Sequence, residues 1–412
     1  MSGVVESLHV PAKVGVRSAD TAAPWSVPLS DVTSDPELEA ALVETIRSGW
    51  WSSGPRVLEF EAAFARMCGS REAIAVTNGT AALHLALLAL GCGPGDEVIL
   101  PSLNFVAGAN MIGQVGATPV FCDIGGDDDL TADPVDIEAA ITPSTKAIMV
   151  MHYGGHPCRM EAILDIASKH RIAVIEDAAH APGATLAGRA CGTFGDIGCF
   201  SFFSNKNLPV GEGGMVVTDD EELASRLRLL RSHGMTTLTW DRHNGHAGSY
   251  DVLLQGLNYR MDDPHAAIGV VQLRRLAAWN AARARITAIY REHLHGFGGI
   301  HMPFPPSNDE MPAHHLAVIL LPHGSSRSGF REQLAANRIQ TSVHYPPTHM
   351  FTWYRSQPGH RRLSATESVA DRLVTLPLYP AMDTAAVSCV IDATQKALGE
   401  RVGGNPTTDR AR

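Results

Sequence analysis

The stretch Ser201-Phe202-Phe203-Ser204-Asn205-Lys206, continuing to Gly211-Glu212-Gly213-Gly214, carries the residues best suited to covalent chemistry. An apolar run, Ile197 to Phe203, predicts a short buried strand, and a second run, Met215 to Val217, predicts its return. Between them one lysine stands in a polar turn beside glycine-rich backbone. A lysine held at strand ends and partly desolvated loses its proton and can attack a carbonyl at neutral pH, as Schiff-base lysines do. A solvated loop lysine fits the same residues, so the assignment depends on what the neighbouring elements bring beside it.

Three other stretches bear on that. Ala73 to Val76 reads as a buried strand that breaks at Thr77-Asn78-Gly79-Thr80 and enters a helix from Ala81 to Leu90. Free amides and the positive end of the helix dipole make such a turn an anion pocket, although a tight turn with a capping threonine has the same residues. The apolar run Ile172 to Ile175 ends at Glu176-Asp177, and the strand Glu97 to Leu100 runs into Pro101-Ser102-Leu103-Asn104-Phe105. Pyridoxal phosphate (PLP) needs an amine for its aldehyde, an acid against its pyridine nitrogen, a phosphate cradle and a flat face. Lys206, Asp177, Gly79 with Thr80, and Phe105 would meet those needs in turn. Taken singly, Asp177 also reads as a strand-end cap and Phe105 as a core aromatic; the full set makes the ligand reading.

The elements that must position these residues follow one rhythm. Further apolar runs at Pro119 to Cys122 and Lys146 to Met151 alternate with helical stretches such as Met160 to His170. Continuous apolar strands between helices predict an α/β fold with a mainly parallel sheet covered on both faces. In such sheets ligands gather beyond the carboxyl ends of the strands, where Thr80, Asp177 and Lys206 all fall. Ser34-Asp35-Pro36-Glu37 opens a helix that runs to about Arg47, and Val57, Leu58, Phe60 and Phe64 supply the apolar side of the next. Between these two, Trp50 and Trp51 read as core or interface anchors. Glu221 to Ser232 is helical, Thr236 to Tyr250 a polar loop, and a long helix from Asp262-Asp263-Pro264 to about Leu294 is expected to cross between lobes. After a proline-rich joint come a strand (Leu316 to Leu321), a helix (Arg327 to Asn337), a strand (Gln340 to His344) and helices near Ser364 to Leu373 and Asp383 to Leu398. The expected plan is a flexible tail at 1–24, a large domain at 25–295, a smaller α+β domain at 296–400 and a second tail at 401–412.

Composition excludes several classes. With 45% hydrophobic and 18% charged residues, the 412-residue chain has an ordinary globular make-up. A formal net charge of -10 argues against nucleic acid as the main partner, since phosphate backbones need basic clusters. The seven cysteines are odd in number, scattered and without a CxxC pair, which predicts reduced thiols and a cytoplasmic location. Nineteen histidines invite a metal, but His243 with His246 and His314 with His315 lack a supporting cluster, so no metal site is expected. Asp127-Asp128-Asp129 lacks the rest of a calcium loop. No signal peptide or membrane span is expected. A nicotinamide dehydrogenase is excluded because no GxGxxG opens the first βαβ unit.

Several motifs together resemble the sugar aminotransferases of the DegT/StrS family. They are Ser48-Gly-Trp-x-x-x-Gly-Pro55, Thr77-Asn-Gly-Thr-Ala-Ala-Leu83, Pro94-Gly-Asp-Glu97, Glu176-Asp-Ala-Ala-His180 and Ser201-Phe-Phe-x-x-Lys-x-Leu-x-x-Gly-Glu-Gly-Gly214. The resemblance spans about residues 30 to 400. It implies a fold-type I PLP enzyme, a homodimer whose neighbouring subunits complete each other's active sites. By position, Lys206 resembles the cofactor-binding lysine, Asp177 the pyridine-nitrogen partner and His180 the group near the ring hydroxyl. Phe105 matches the stacking aromatic, and Gly79, Thr80, Ala81 and Ser201 the phosphate contacts. Asn258 resembles an asparagine reaching the phosphate from the partner subunit, while Trp51, Arg260, His344 and Tyr345 resemble substrate-side groups. Where the family often has Thr-Phe-Val-Ala-Thr, this chain has Asn104-Phe-Val-Ala-Gly108, which alters the polar contacts beside the ring. Sugar dehydratases of the same fold carry histidine in place of the lysine, so Lys206 speaks for transamination.

The implied reaction is a ping-pong exchange: L-glutamate gives up its amino group, and a keto-sugar receives it. The segment Ser232 to His246, with Ser249-Tyr-Asp-Val252, resembles a branch acting on dTDP-4-keto-6-deoxyglucose in deoxysugar pathways. Amination of a keto-inositol with L-glutamine is the rival enzymatic reading. A PLP-binding regulator without turnover is the rival of another class; the intact Lys206, Asp177 and His180 favour the enzyme.

Overall fold

The structure, a computed structural model, describes residues 25–399 apart from positions 33, 238, 244, 246–248 and 358–360. The expected tails at 1–24 and 401–412 lie outside the described residues, as do parts of the 232–246 segment. Twelve strands can be assigned among them. β1 (Glu72–Val76), β2 (Glu97–Pro101), β3 (Thr118–Cys122), β4 (Thr145–Met151) and β5 (Ala173–Asp177) come first, then the two-residue β6 (Thr185–Leu186) and β7 (Arg189–Ala190). β8 (Ile197–Ser201) and β9 (Gly214–Thr218) follow, and after them β10 (Glu310–Met311), β11 (Ala317–Leu320) and β12 (Leu373–Leu376).

Seven strands form the main sheet in the order β1-β9-β8-β5-β4-β2-β3. β9 alone in this sheet runs against its neighbours, pairing antiparallel with both β1 and β8. The other pairs are parallel, including Met151 beside Asp177 on β4 and β5. The expected α/β fold-type I architecture is the one found. Strands such as Ala73–Val76 and Ile197–Phe200 are buried throughout because helices cover both faces.

The helices in chain order are α1 (Pro36–Arg47), α2 (Pro55–Cys68), α3 (Gly79–Ala89), α4 (Ala107–Gln114), α5 (Pro134–Ala140), α6 (Met160–His170), α7 (Glu221–Arg231), α8 (Thr239–His243) and α9 (Asp263–Leu294), followed by α10 (Arg327–Ala336), α11 (Thr352–Arg355), α12 (Ser364–Arg372) and α13 (Thr384–Gly399). Proline in the first turn starts α1, α2, α5 and α9, where a missing N–H costs nothing. The 32-residue α9 reaches two cores. At its start Asp263 accepts from the amides of Gly54, Arg56 and Val57 at 2.9, 3.2 and 3.1 Å. Towards its end Tyr290 and Leu294 pack with Phe330, Leu334, Val374 and Val390, around the antiparallel pair β11–β12. There Arg283 donates to the Leu378 carbonyl at 2.8 Å, and Arg291 to those of Met302 and Phe304 at 3.0 and 2.8 Å. Residues 26–29 join this second core, bridging Val27 to Ile339.

Several expectations differ from the structure. Gln340 to His344 is no strand: it makes one isolated bridge, Ser342 with Thr375, before Pro346 and Pro347 remove the amide donors a ladder needs. The apolar run at Ile197 outlasts its strand, because Lys206 N–H donates to the Phe203 carbonyl and closes a turn. Leu58 turns outward from α2 at 55% exposure. The loop from Thr236 contains the short α8, and Trp240 on it meets Trp50 edge-on with ring centroids 4.7 Å apart.

Candidate active site

The N-terminus of α3 fixes one wall. Asn78 is extended and its Oδ1 accepts the Ala81 amide at 2.8 Å, so this asparagine rather than Thr80 caps the helix. Gly79 packs so closely on β8 that a Cβ there would stand 2.7 Å from the Ser201 Cβ. A Cβ on Gly214 would likewise stand 2.5 Å from the Asn78 carbonyl oxygen. Glycines at these two points bring the helix amides against the ends of β8 and β9.

Asp177 ends β5 with its side chain buried, and its Oδ1 accepts the Ala179 amide at 3.2 Å. Burial pushes its carboxyl above the usual range, opposed by the Ala179 amide and by Lys206, His152 and Asn104. Burial pushes the Lys206 amine down to about 8, opposed by Asp177. The two groups therefore form an acid and an amine that share a desolvated space and hold each other's charge. His180 accepts the Gly154 amide on Nδ1 at 3.3 Å, which leaves the proton on Nε2, 2.9 Å from the Tyr345 hydroxyl. Burial, then Lys206 and His344, hold His180 well below the usual imidazole range. His344 is pushed down to about 4 by burial, with Lys206 adding to the effect. Both rings are neutral at physiological pH.

These groups converge on a cavity of about 450 Å³. Of the residues expected from sequence, Gly79, Thr80, Phe105, Asp177, His180, Ser201, Lys206, His344 and Tyr345 line it. Phe105 is 54% exposed, its ring 5.8 Å from that of Tyr345. Four expected residues lie elsewhere. Ala81 is buried behind the helix turn with its amide already bonded. Trp51 is 58% exposed and donates from Nε1 to the Ile46 carbonyl at 3.0 Å. Asn258 bridges Ser232 through its backbone, and Arg260 donates to the Ser232 hydroxyl at 3.1 Å. Asn205 and Glu212, in the stretch around the lysine, also line the cavity. Asn104, directly before Phe105, is 1% exposed and favours the charge of Asp177. In sequence all three read as turn residues, and only the fold brings them together. A larger groove of about 860 Å³ runs along the edge strand β3, but none of the expected residues lines it and its Arg361 is paired with Asp136. Chemistry, not size, selects the smaller cavity.

PLP fits these residues. Asp177 needs a cationic or N–H partner, Asn205 Oδ1 in the cavity wall is buried without one, and the α3 cradle is closed to any side chain at Gly79. Among the described residues no group of three or more His, Cys, Asp or Glu could hold a metal ion.

Residues 33–395 match the profile of the DegT/DnrJ/EryC1/StrS aminotransferase family. This chain belongs to that family. It is 41% identical over 379 residues, 90% of this chain and 96% of the relative, to the spore coat polysaccharide biosynthesis protein SpsC of Bacillus subtilis. The aminotransferase TlmJ from Streptoalloteichus hindustanus is 33% identical with a TM-score of 0.85, covering 91% of this chain and all (100%) of TlmJ. DesV from S. venezuelae is 37% identical with a TM-score of 0.81, covering 88% of this chain and 94% of DesV. Family and structural neighbours are PLP-dependent aminotransferases, among them the sugar aminotransferase CalS13 from Micromonospora echinospora, 29% identical with a TM-score of 0.82 over 90% of this chain and 99% of CalS13. This DegT/StrS protein is accordingly a sugar aminotransferase.

Proposed function

We propose that this DegT/StrS enzyme binds PLP on Lys206 and passes an amino group from L-glutamate to a nucleotide-linked keto-sugar, dTDP-4-keto-6-deoxyglucose, in amino-deoxysugar biosynthesis. The observation that carries the reading is the pairing of a lysine lowered to about 8 with a buried aspartate in one cavity beside a helix N-terminus. When bound, PLP supplies an aldehyde carbon for amines and a ring that takes up an electron pair.

The protein does the rest. The first amides of α3, with the Thr80 and Ser201 hydroxyls, would hold the phosphate. Phe105 would cover one ring face, Asp177 would hold the proton on the ring nitrogen, and His180, its Nε2 2.9 Å from the Tyr345 hydroxyl, would stand on the ring hydroxyl side. Lys206 Nζ, partly neutral near pH 8, takes the proton from the donor's Cα and returns it one position away, as base and then acid. His344 and Tyr345 face the substrate. Trp51, Asn258 and Arg260 lie off the cavity of a single chain, which supports a homodimer in which they serve the neighbour's site. The proposed domains remain 25–295 and 296–400, a reading supported by His344 and Tyr345 reaching the cavity from beyond residue 295.

We also infer a cytoplasmic location. Six cysteines are buried and unpaired, Cys389 is exposed and free, and no helix among the described residues is long and apolar enough to cross a membrane. Keto-sugars and a keto-inositol, each presented with L-glutamate or L-glutamine and read by mass spectrometry, test the substrate. The expected product is the 4-amino sugar with glutamate. A product only from keto-inositol and glutamine would replace this reading, and PLP binding with no product from any pair would make the protein a regulator.

A further inference from the structure

Phe105 stands in a loop between the end of β2 at Pro101 and the start of α4 at Ala107, and no side chain caps that helix. Inside the loop the Asn104 N–H donates to the Ser102 carbonyl at 2.9 Å, and the Ser102 N–H donates to the Cys122 carbonyl at 3.2 Å. Further hydrogen bonds come from two consecutive residues far along the chain. Thr348 donates from N–H to the Ser102 carbonyl at 2.9 Å and from Oγ1 to the Asn104 carbonyl at 3.1 Å. His349 N–H donates to Ser102 Oγ at 3.1 Å, and His349 Nδ1 lies 2.6 Å from the same oxygen. Ser102, Thr348 and His349 are all buried, so water does not compete for these bonds.

The Ser102–His349 contact has a direction. His349 Nε2 stands 3.5 Å from Glu367 Oε1 on α12, an oxygen that also accepts the Leu363 amide at 3.1 Å. A carboxylate beside Nε2 keeps the proton on that nitrogen, so Nδ1 accepts and the Ser102 hydroxyl donates. A serine, a histidine and a carboxylate in line could also serve hydrolysis. Ser102, however, is wholly buried and lines neither of the cavities described above. The arrangement is a fastening, and what it joins is specific. Three residues before Thr348, the Tyr345 ring lies 5.8 Å from that of Phe105, and its hydroxyl lies 2.9 Å from His180 Nε2. Pro346 and Pro347, each with its φ fixed by the ring, leave little slack between Tyr345 and the fastening.

We propose that Ser102, Thr348 and His349 are positioning residues: by latching the 102–104 backbone to the 348–349 backbone, they set Phe105 and Tyr345 as one preformed pair at the cofactor cavity. Neither ring touches the latch itself. Phe105 follows it directly through Asn104, and Tyr345 through the two prolines. A pair set in advance spares the cofactor the cost of ordering the loop when it binds.

This inference rests on the PLP reading, and its tests separate the two. Hydrogen exchange in apo-protein reads the latch without any ligand. In Ser102→Ala the amides of 102–107 and of 348–350 should both exchange about tenfold faster, and acceleration of one stretch alone overturns the coupling. Apo-protein is then titrated with PLP, and with inorganic phosphate as its competitor. Wild type that binds no PLP would remove the PLP reading, leaving the latch to be judged on exchange alone. Where wild type binds PLP, its affinity in Ser102→Ala should fall by about tenfold, while inorganic phosphate, which needs only the α3 cradle, binds as before. An equal loss for both ligands, or a loss for neither, overturns the positioning role. His349→Asn, whose amide can replace Nδ1, should keep the PLP affinity that His349→Leu loses; an equal loss in both would overturn the Nδ1 bond as its basis. Should Ser102→Ala fail to fold, Thr348→Val removes only the bond to the Asn104 carbonyl and should weaken PLP, but not phosphate, by about threefold.

Discussion

Lys206 sets the pH behaviour of the site. Its amine titrates at about 8 in the folded chain, below the ordinary 10.5. Attack on an aldehyde needs the neutral amine, so the rate of PLP uptake by apo-protein should rise about tenfold per pH unit and level off above about pH 8. Stopped-flow absorbance measures this. The same shift acts on stability with a definite sign. Below pH 8 the fold carries a buried cation that the unfolded chain keeps in water. Between about 8 and 10.5 the unfolded chain binds the extra proton, so this group's contribution to stability improves as pH rises through that window. Lys206→Met in apo-protein should therefore raise the melting temperature at pH 7 by about 2–4 °C and abolish that component of the pH dependence. Lys206→Ala should cut turnover by about a thousandfold or more with the fold intact; borohydride reduction and peptide mapping should then find no cofactor adduct, where wild type carries it on Lys206.

At the scale of elements, the turn between β1 and α3 depends on its lack of side chains. Gly79→Ala would push a methyl group into Ser201, so PLP affinity should fall by about tenfold or more, while a cost of about 1–3 kcal/mol in stability accompanies it. A second element contact holds α2, β1 and α7 together: Arg231 donates to Glu61 at 2.6 Å and to the Ala75 carbonyl at 2.8 Å, all buried. Arg231→Met leaves an unpaired buried carboxylate and should cost about 3–5 kcal/mol in chemical denaturation. These two cases show what the sequence could disclose. The strand before Thr77 and the helix after it were legible because apolar runs, a glycine and a helix start lie side by side. The Glu61–Arg231 pair spans 170 residues and leaves no local pattern. Gln340 to His344 looked like a strand because its composition suits one. A strand also needs a partner edge, and a composition does not reveal one. At Asn104 the sequence marked only altered polar contacts beside the ring; the burial of that side chain emerges from the fold, since an asparagine after a strand reads first as an exposed turn residue.

At the scale of the whole molecule, the exposed Trp51 and the off-cavity Asn258 and Arg260 make the dimer testable through function. Mixing Lys206→Ala with Asn258→Ala protomers should restore activity to roughly a quarter of the sites, because mixed dimers rebuild one intact site each. Activity that stays at the sum of the separate variants would place Asn258 within its own subunit's chemistry. The helix α9 bears on the same question. Its first turn grips the chain just after Trp51 through Asp263, and its last turns grip the lobe that carries His344 and Tyr345. A stiff rod clamped at both ends transmits tilt without absorbing it. The chain just after Trp51 and the core around β11 and β12 are thus anchored to opposite ends of a single 32-residue helix.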